Sequence, residues 1–241
     1  MKLDFRALRA LGAALLVGGL ALGTTGCSDD PAPAPPPPRY APITAFNGIS
    51  DLQTIQFKIG DKIVVSNSAY GNPTTIDSAL VGTATQVKVL TVNGQELSTA
   101  TVAIDTGRSV WVIAAGSAVT PNKPDIFGVS HQELAPSQTR ATIRIIHASS
   151  DLGKIDVHET ESTGLLFAND LDYKGSSEFF SVPTTVQTLS VTGSDNTTEK
   201  LTINVAPALE AGKVYNVIIY GTTNPDAQTA LKVQGKIVPE P

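Results

Sequence analysis

His147 is the side chain in this sequence whose neighbours most invite a catalytic reading. It closes an apolar run, Thr142-Ile143-Arg144-Ile145-Ile146, and is followed by Ser149, Ser150, Asp151 and, past a turn, Asp156. An imidazole with an orienting carboxylate and a hydroxyl in reach is the equipment of a general base serving a nucleophile. Sequence neighbours seldom attain that geometry, and neither serine lies in a Gly-x-Ser-x-Gly elbow. The competing role is structural: the two ring nitrogens bond backbone groups of the turn. That role is preferred, so no catalytic residue is assigned and the chain is expected not to be an enzyme. A hydrolase using His147 is the minor alternative.

Carboxylates give the same contrast. Asp51 and Asp151 sit in the matching tripeptides Ser50-Asp51-Leu52 and Ser150-Asp151-Leu152. The expected role is turn-structural, with each carboxylate accepting backbone N–H bonds as in an Asx-turn. Calcium is the sharper alternative there and at Asn169-Asp170-Leu171-Asp172, because carboxylate oxygen is a hard ligand. Neither stretch has the alternating ligands, central glycine and closing glutamate of an EF-hand loop. His131, His147 and His158 are too scattered for a zinc motif, and no Gly-rich phosphate loop occurs. No metal and no cofactor are expected.

Three aromatic side chains are candidate ligand contacts. Tyr70 and Tyr173 are either platforms on which a sugar ring stacks or amphipathic plugs at the rim of a sheet. Trp111 lies in the alternating run Val110-Trp111-Val112-Ile113-Ala114, so that Val110, Val112 and Ala114 face one side and Trp111 the other. A tryptophan on the outer face marks either a junction between domains, the favoured reading, or a ligand contact.

Cys27 is the only cysteine, which excludes an intramolecular disulfide. Ahead of it stand a basic head with Lys2, Arg6 and Arg9 and an apolar run from Ala10 to Leu22, the order of a secretory signal. The run is shorter than the roughly 18 residues of a membrane span. Thr24-Thr25-Gly26-Cys27 resembles the bacterial lipobox, with Thr24 where leucine is usual, and the resemblance implies acylation of Cys27, as by palmitate. Each buried methylene of such chains contributes about 0.8 kcal/mol to membrane binding. By analogy with enterobacterial sorting, Ser28 after the cysteine permits delivery to the outer membrane, and the expected location is there, facing the periplasm or the cell surface. The proline-dense stretch that follows, PAPAPPPPRYAP, has the composition of an extended polyproline II tether of about 3.1 Å per residue.

The elements that must position these residues are strands. The 241-residue chain is 41% hydrophobic and 16% charged, poor in aromatics, with 20 Gly and 16 Pro, a mix that favours short strands and turns. A net charge of -5 and a pI of 5.1 argue against a nucleic-acid partner. Strands are expected over 43–46, 54–59, 62–65, 85–92, 97–104, 109–115 and 126–133, then over 142–146, 154–158, 179–182, 186–191, 200–205, 214–220 and 231–237. Gly60-Asp61 and Asn93-Gly94 read as two-residue hairpin turns. The second series retraces the first: Ala69-Tyr70-Gly71 matches Asp172-Tyr173-Lys174, Gly94 matches Gly193, Gly107 matches Gly212, and Ala115-Gly116-Ser117 matches Tyr220-Gly221-Thr222.

The expected fold is therefore all-β, two tandem antiparallel β-sandwich domains, Ig-like or transthyretin-like, after a signal peptide and a Pro-rich tether. The expected pieces are 1–26 (signal peptide), 27–42 (linker), 43–136 (first sandwich) and 139–239 (second sandwich). Ile146-His147-Ala148-Ser149-Ser150-Asp151, Ile155-Asp156-Val157, Leu171-Asp172-Tyr173 and Ala211-Gly212-Lys213-Val214-Tyr215 resemble the DUF4397 family of bacterial envelope proteins. Ser150 stands where that family has proline, and the first copy carries Asn47, Gly48 and Ile49 at the His-Ala-Ser positions. The resemblance runs over about residues 43–238 and implies a β-sandwich without assigning it an activity. The functional expectation is a lipid-anchored envelope protein with a non-catalytic binding or structural role, its partners the membrane through the lipid and an envelope protein or glycan. The alternative is a cell-wall or capsular glycan-binding protein that uses Trp111, Tyr70 and Tyr173.

Overall fold

Strand-forming sequence dominates throughout the residues that the computed structural model describes: 39–119, 123–132, 134–135, 137–159, 165–194, 196–222 and 234–239. The signal segment, Cys27 and most of the tether lie outside these residues. In chain order the strands are β1 (Tyr40–Ile49), β2 (Thr54–Ile59), β3 (Lys62–Ala69), β4 (Pro73–Leu80), β5 (Gly82–Leu90), β6 (Glu96–Ile104), β7 (Arg108–Gly116) and β8 (Asp125–Gln132). The second half continues with β9 (Ala141–Ala148), β10 (Ile155–Glu159), β11 (Leu166–Leu171), β12 (Phe180–Val182), β13 (Thr188–Gly193), β14 (Asn196–Asn204), β15 (Val214–Tyr220) and β16 (Gln234–Pro239). No helix occurs among the described residues, so the protein is all-β.

The first half forms sheets ordered β4-β1-β7-β8 and β3-β2-β5-β6, the second half β12-β9-β15-β16 and β11-β10-β13-β14. Each strand of the second half thus takes the place of the strand eight earlier. One apolar cluster joins the two sheets of the first half, with Ile55, Phe57, Val87 and Val89 meeting Ile43, Ala45, Val110 and Val112. A second does the same for the other half, with Ile155, Val157, Leu189 and Val191 meeting Ile143, Ile145, Val217 and Ile219.

The period-two alternation of a strand sends neighbouring side chains to opposite faces, and here both faces are covered. In β7 Val110, Val112 and Ala114 enter the first core, while Trp111, Ile113 and Ala115 enter a third cluster. In β15 Tyr215, Val217 and Ile219 enter the second core, while Ile218 and Tyr220 enter that same third cluster. This third cluster is the seam where β1, β7 and β8 pack on β9, β15 and β16. It explains why these central strands read as near-continuous apolar runs, whereas β2, with one face covered, shows strict alternation.

The structure departs from the sequence expectations at several places. β1 pairs with β7, and β9 with β15, in parallel, so the two seam-side sheets are mixed and not purely antiparallel. A parallel pair needs a long crossover, which β2 to β6 and β10 to β14 supply. β4 and β11 were not expected. Both are edge strands whose sequences, PTTIDSAL and LFANDL, lack apolar alternation, and Pro73 opens β4, a position where its missing N–H is tolerated. Asn93-Gly94 does not form a two-residue turn: Gly94 N donates to Thr91 O (2.9 Å), Thr91 N to Gln95 O (2.8 Å), and only Gly94 takes a positive φ, 84°. This is the three-residue hairpin with a closing left-handed glycine. Gly94 and Gly193 also differ, since Gly193 stays in β13 without a positive φ.

Candidate functional site

Residues 47 and 147 hold equivalent turns by the same device. Asn47 Oδ1 accepts from Ile49 N (3.1 Å), and its Nδ2 donates to Leu52 O and Ser68 O (both 3.2 Å). His147 Nδ1 accepts from Ser149 N (3.4 Å), and its Nε2 lies 2.7 Å from Gly153 O. A carbonyl oxygen only accepts, so the proton sits on Nε2 and the ring is neutral. Burial holds the His147 pKa below the ordinary histidine value, opposed by the Gly153 hydrogen bond and the Asp172 and Asp151 charges. Both nitrogens are committed to backbone groups, which leaves neither placed to take a proton from Ser149.

The serine and aspartates of these turns are also engaged. Ser149 Oγ lies 3.0 Å from Asp151 Oδ1 and 2.9 Å from Gly221 O, and Thr222 Oγ1 donates to Asp151 Oδ2. Asp51 accepts from Ser117 Oγ (2.9 Å), Ala118 N (2.9 and 3.0 Å) and Val119 N (2.9 Å). The Asx-turn expectation is corrected here: Asp51 does not cap its own turn but ties it to the chain leaving β7. The turn after β1 closes by itself through Leu52 N to Ile49 O (3.2 Å).

The stretch considered for calcium is spent likewise. Asp170 N donates to Asp156 Oδ1 (2.7 Å), Asn169 Nδ2 to Asp170 Oδ2 (3.1 Å), and Asp172 pairs with Lys154 (3.7 Å). Among the described residues no three His, Cys, Asp or Glu side chains converge as metal ligands would.

The aromatic candidates lie in the seam. Trp111 is fully buried, so it offers no face to a sugar. Tyr70 and Tyr173 are half-buried against the seam cluster, and their hydroxyls are enclosed. The Tyr70 ring packs 5.0 Å from Tyr220, which is itself 5.0 Å from Phe46, and Tyr173 packs 6.4 Å from Phe127. Trp111 thus lies at the junction of the two halves, the favoured reading, with Tyr70 and Tyr173 plugging its rim, and the alternative of stacking platforms finds no open ring face at Trp111. The outward face of each half is covered by the other half, so an outward aromatic in one sheet becomes a buried one in the pair. Burial, with Tyr220 nearby, raises the Tyr70 pKa, and burial, with Asp125 nearby, raises that of Tyr173.

Tyr70-Gly71 and Tyr173-Lys174 share one backbone form. Gly71 and Lys174 have φ of 68° and 67°, and their N–H groups donate to Asn47 O and His147 O, each at 2.8 Å. Lys174 Nζ then reaches across the seam to Asp125 Oδ1 (3.2 Å).

Sequence reasoning passed over Arg144. It is buried in β9, its Nε donates to Asn216 Oδ1 (2.8 Å), and its guanidinium lies 4.7 Å from the centre of the Phe179 ring. The strand register places Arg144 beside Asn216 where the first half has Thr44 beside Trp111. One bulky indole thus fills the space that an Arg–Asn pair fills in the copy. The available signal was a single arginine inside the apolar run TIRIIHA, since a buried charge requires partners. Arg144 and Phe179 help line a cleft of about 320 Å³, together with Arg108, His131 and Glu178.

These observations define a duplicated protein, free of helix among the described residues, with two pseudo-equivalent turns and a buried aromatic seam. Residues 41–158 match the family profile DUF4397, described as a domain of unknown function, and the chain therefore carries a DUF4397 domain. The match spans the first half and ends in β10. It includes the Ile146–Asp151 and Ile155–Val157 motifs but not Leu171-Asp172-Tyr173 or Ala211–Tyr215. No curated protein matches the chain. A crystal structure from Bacteroides eggerthii DSM 20697, described as a candidate cell adhesion protein, is similar at 10% identity, covering 85% of this chain and 96% of that one with a TM-score of 0.21.

Proposed function

We propose that this chain is a lipid-anchored bacterial envelope protein, held at the outer membrane through Cys27, whose tandem β-sandwich domains serve a non-catalytic binding or structural role. The observation that carries this reading is the engagement of His147, Ser149, Asp151 and Asp51 in holding turns together. A general base must have a nitrogen open to its nucleophile, and His147 has both bonded to backbone groups. The signal-like N-terminus, the cysteine after it and the proline-dense stretch supply the case for the anchor and tether. Any partner, an envelope protein or a glycan, would meet surfaces other than the buried seam.

Metabolic labelling with an alkyne fatty acid tests the anchor. The expected result is label on the full-length chain that disappears in Cys27→Ala. Unlabelled wild-type protein, or label that persists in the variant, would defeat it. For the non-catalytic role, envelope extracts treated with the purified protein should show no hydrolysis that is lost in a folded His147→Asn variant.

A further inference from the structure

The two halves solve one problem with different chemistry. At the end of β1 the side-chain amide of Asn47 bonds Ile49 N and Leu52 O, and an amide does not titrate in the physiological range. At the end of β9 an imidazole makes the equivalent pair of bonds, to Ser149 N and Gly153 O. Only the second turn therefore depends on a lone pair that a proton can remove. A protonated His147 keeps its Nε2 bond to Gly153 O, but its Nδ1 becomes a donor facing the Ser149 N–H, another donor.

What hangs on this turn reaches the seam. The backbone of His147 is bonded on both sides to the strap at residues 172–175, its oxygen to Lys174 N (2.8 Å) and its nitrogen to Gly175 O (3.0 Å). The His147 ring lies 6.1 Å, edge on, from Tyr173. The strap in turn holds the first half: Tyr173 packs on Phe127 of β8, and Lys174 pairs with Asp125 of β8. The turn, the strap and β8 form one continuous set of contacts from His147 to the other half.

Charged groups lie on each element around the imidazole, with Asp172 and Asp151 acting on the ring itself. Asp151 comes from its own turn, Asp172 and Lys174 come from the strap, and Lys154, which pairs with Asp172 at 3.7 Å, precedes β10. Burial opposes an imidazolium, while the Gly153 hydrogen bond and the Asp172 and Asp151 carboxylates favour it. Burial prevails, so His147 takes up its proton at lower pH than a free histidine does.

We propose that His147 is an acid-operated latch, whose protonation frees the turn at residues 149–153 and loosens the strap carrying Tyr173 and Lys174 from β8. The second half then loses part of its grip on the first, while the Asn47 turn stays closed.

Trp111 reports on this directly, because it is the only tryptophan in the chain and is buried in the seam. Emission of the full-length protein is followed from about pH 8 to about pH 5, the range in which histidine changes charge. Wild type should shift to longer wavelength on acidification, His147→Asn should not, and His131→Gln should behave as wild type. The last control is needed because the His131 ring lies 4.7 Å from Phe179. No shift in wild type, an equal shift in His147→Asn, or loss of the shift in His131→Gln would overturn the latch. Should His147→Asn fail to fold, amide exchange in wild type decides: the ratio of the Ser149 rate to the Ile49 rate should rise as pH falls, and a constant ratio would overturn the proposal.

Discussion

Gly71 and Tyr220 lie so close across the seam that the tyrosine hydroxyl occupies the space a Cβ on residue 71 would need. The ring cannot swing clear, since Phe46 and Tyr70 flank it at 5.0 Å each. Residue 71 also holds a φ of 68°, where any side chain adds strain of about 1 kcal/mol. Gly71→Ala should therefore destabilise the protein by about 2 kcal/mol or more in urea unfolding. Removing the hydroxyl with Tyr220→Phe should relieve the steric share and leave the backbone share. Equal costs in the two backgrounds would show that the seam is not packed as described.

Trp111 is the largest side chain buried in the seam. Trp111→Ala should cost about 3–5 kcal/mol, the usual penalty for emptying an aromatic core position. Trp111→Phe should lie well below that. A loss under about 1 kcal/mol for the alanine variant, read from the denaturation midpoint, would mean that the halves are not joined through this face.

Much of this was legible in the chain, and what was not has a physical reason. The alternation in Val110–Ala114 told which side Trp111 faces, and the match of Tyr70-Gly71 with Tyr173-Lys174 survives as a shared φ and a shared hydrogen bond. The lysine's left-handed φ is not written in its residue type. It emerges only from pairing Lys174 with Gly71. β4 and β11 were invisible because an edge strand is fixed by backbone pairing with a neighbour and needs little apolar periodicity. The outward side of Trp111 pointed to a junction between domains, but which strands of the other half cover it is not encoded in any local pattern. Arg144 was passed over because its acceptor, Asn216, is far away in sequence.

Asp51 takes two backbone N–H groups and a hydroxyl from the chain leaving β7. A hydroxyl can rotate to another acceptor, whereas the Ala118 N–H is fixed by its backbone. Asp51→Ala should therefore cost about 2 kcal/mol. A loss under about 0.5 kcal/mol in thermal unfolding would show that the link from the first turn to the end of β7 is not a major support.

The Tyr70 hydroxyl is enclosed without a hydrogen-bond partner among the described residues. A buried donor without an acceptor costs free energy, so Tyr70→Phe should stabilise the protein by about 1 kcal/mol. Burial, with Tyr220 nearby, raises the phenol pKa in the folded state, so the unfolded chain releases its proton first on alkalinisation. This contribution is fully present below the ordinary tyrosine pKa of about 10 and is lost as pH rises above it. The alkaline fall in melting temperature should be shallower in Tyr70→Phe, and an unchanged slope would contradict the burial.

His147 acts at the other end of the pH scale and with the opposite sign. Its folded-state pKa is held below the unfolded value of about 6.5, chiefly by burial, so on acidification the unfolded chain binds the proton first. The stability this contributes is fully present above about pH 6.5 and is lost as pH falls from there through the folded-state pKa. His147→Asn keeps a donor and an acceptor in the arrangement that Asn47 already uses and has no proton to gain. The urea midpoint of wild type should therefore drop between about pH 6.5 and pH 5 more steeply than that of the variant. Parallel curves would mean that the ring is already solvated in the folded protein and that its two backbone bonds do not hold.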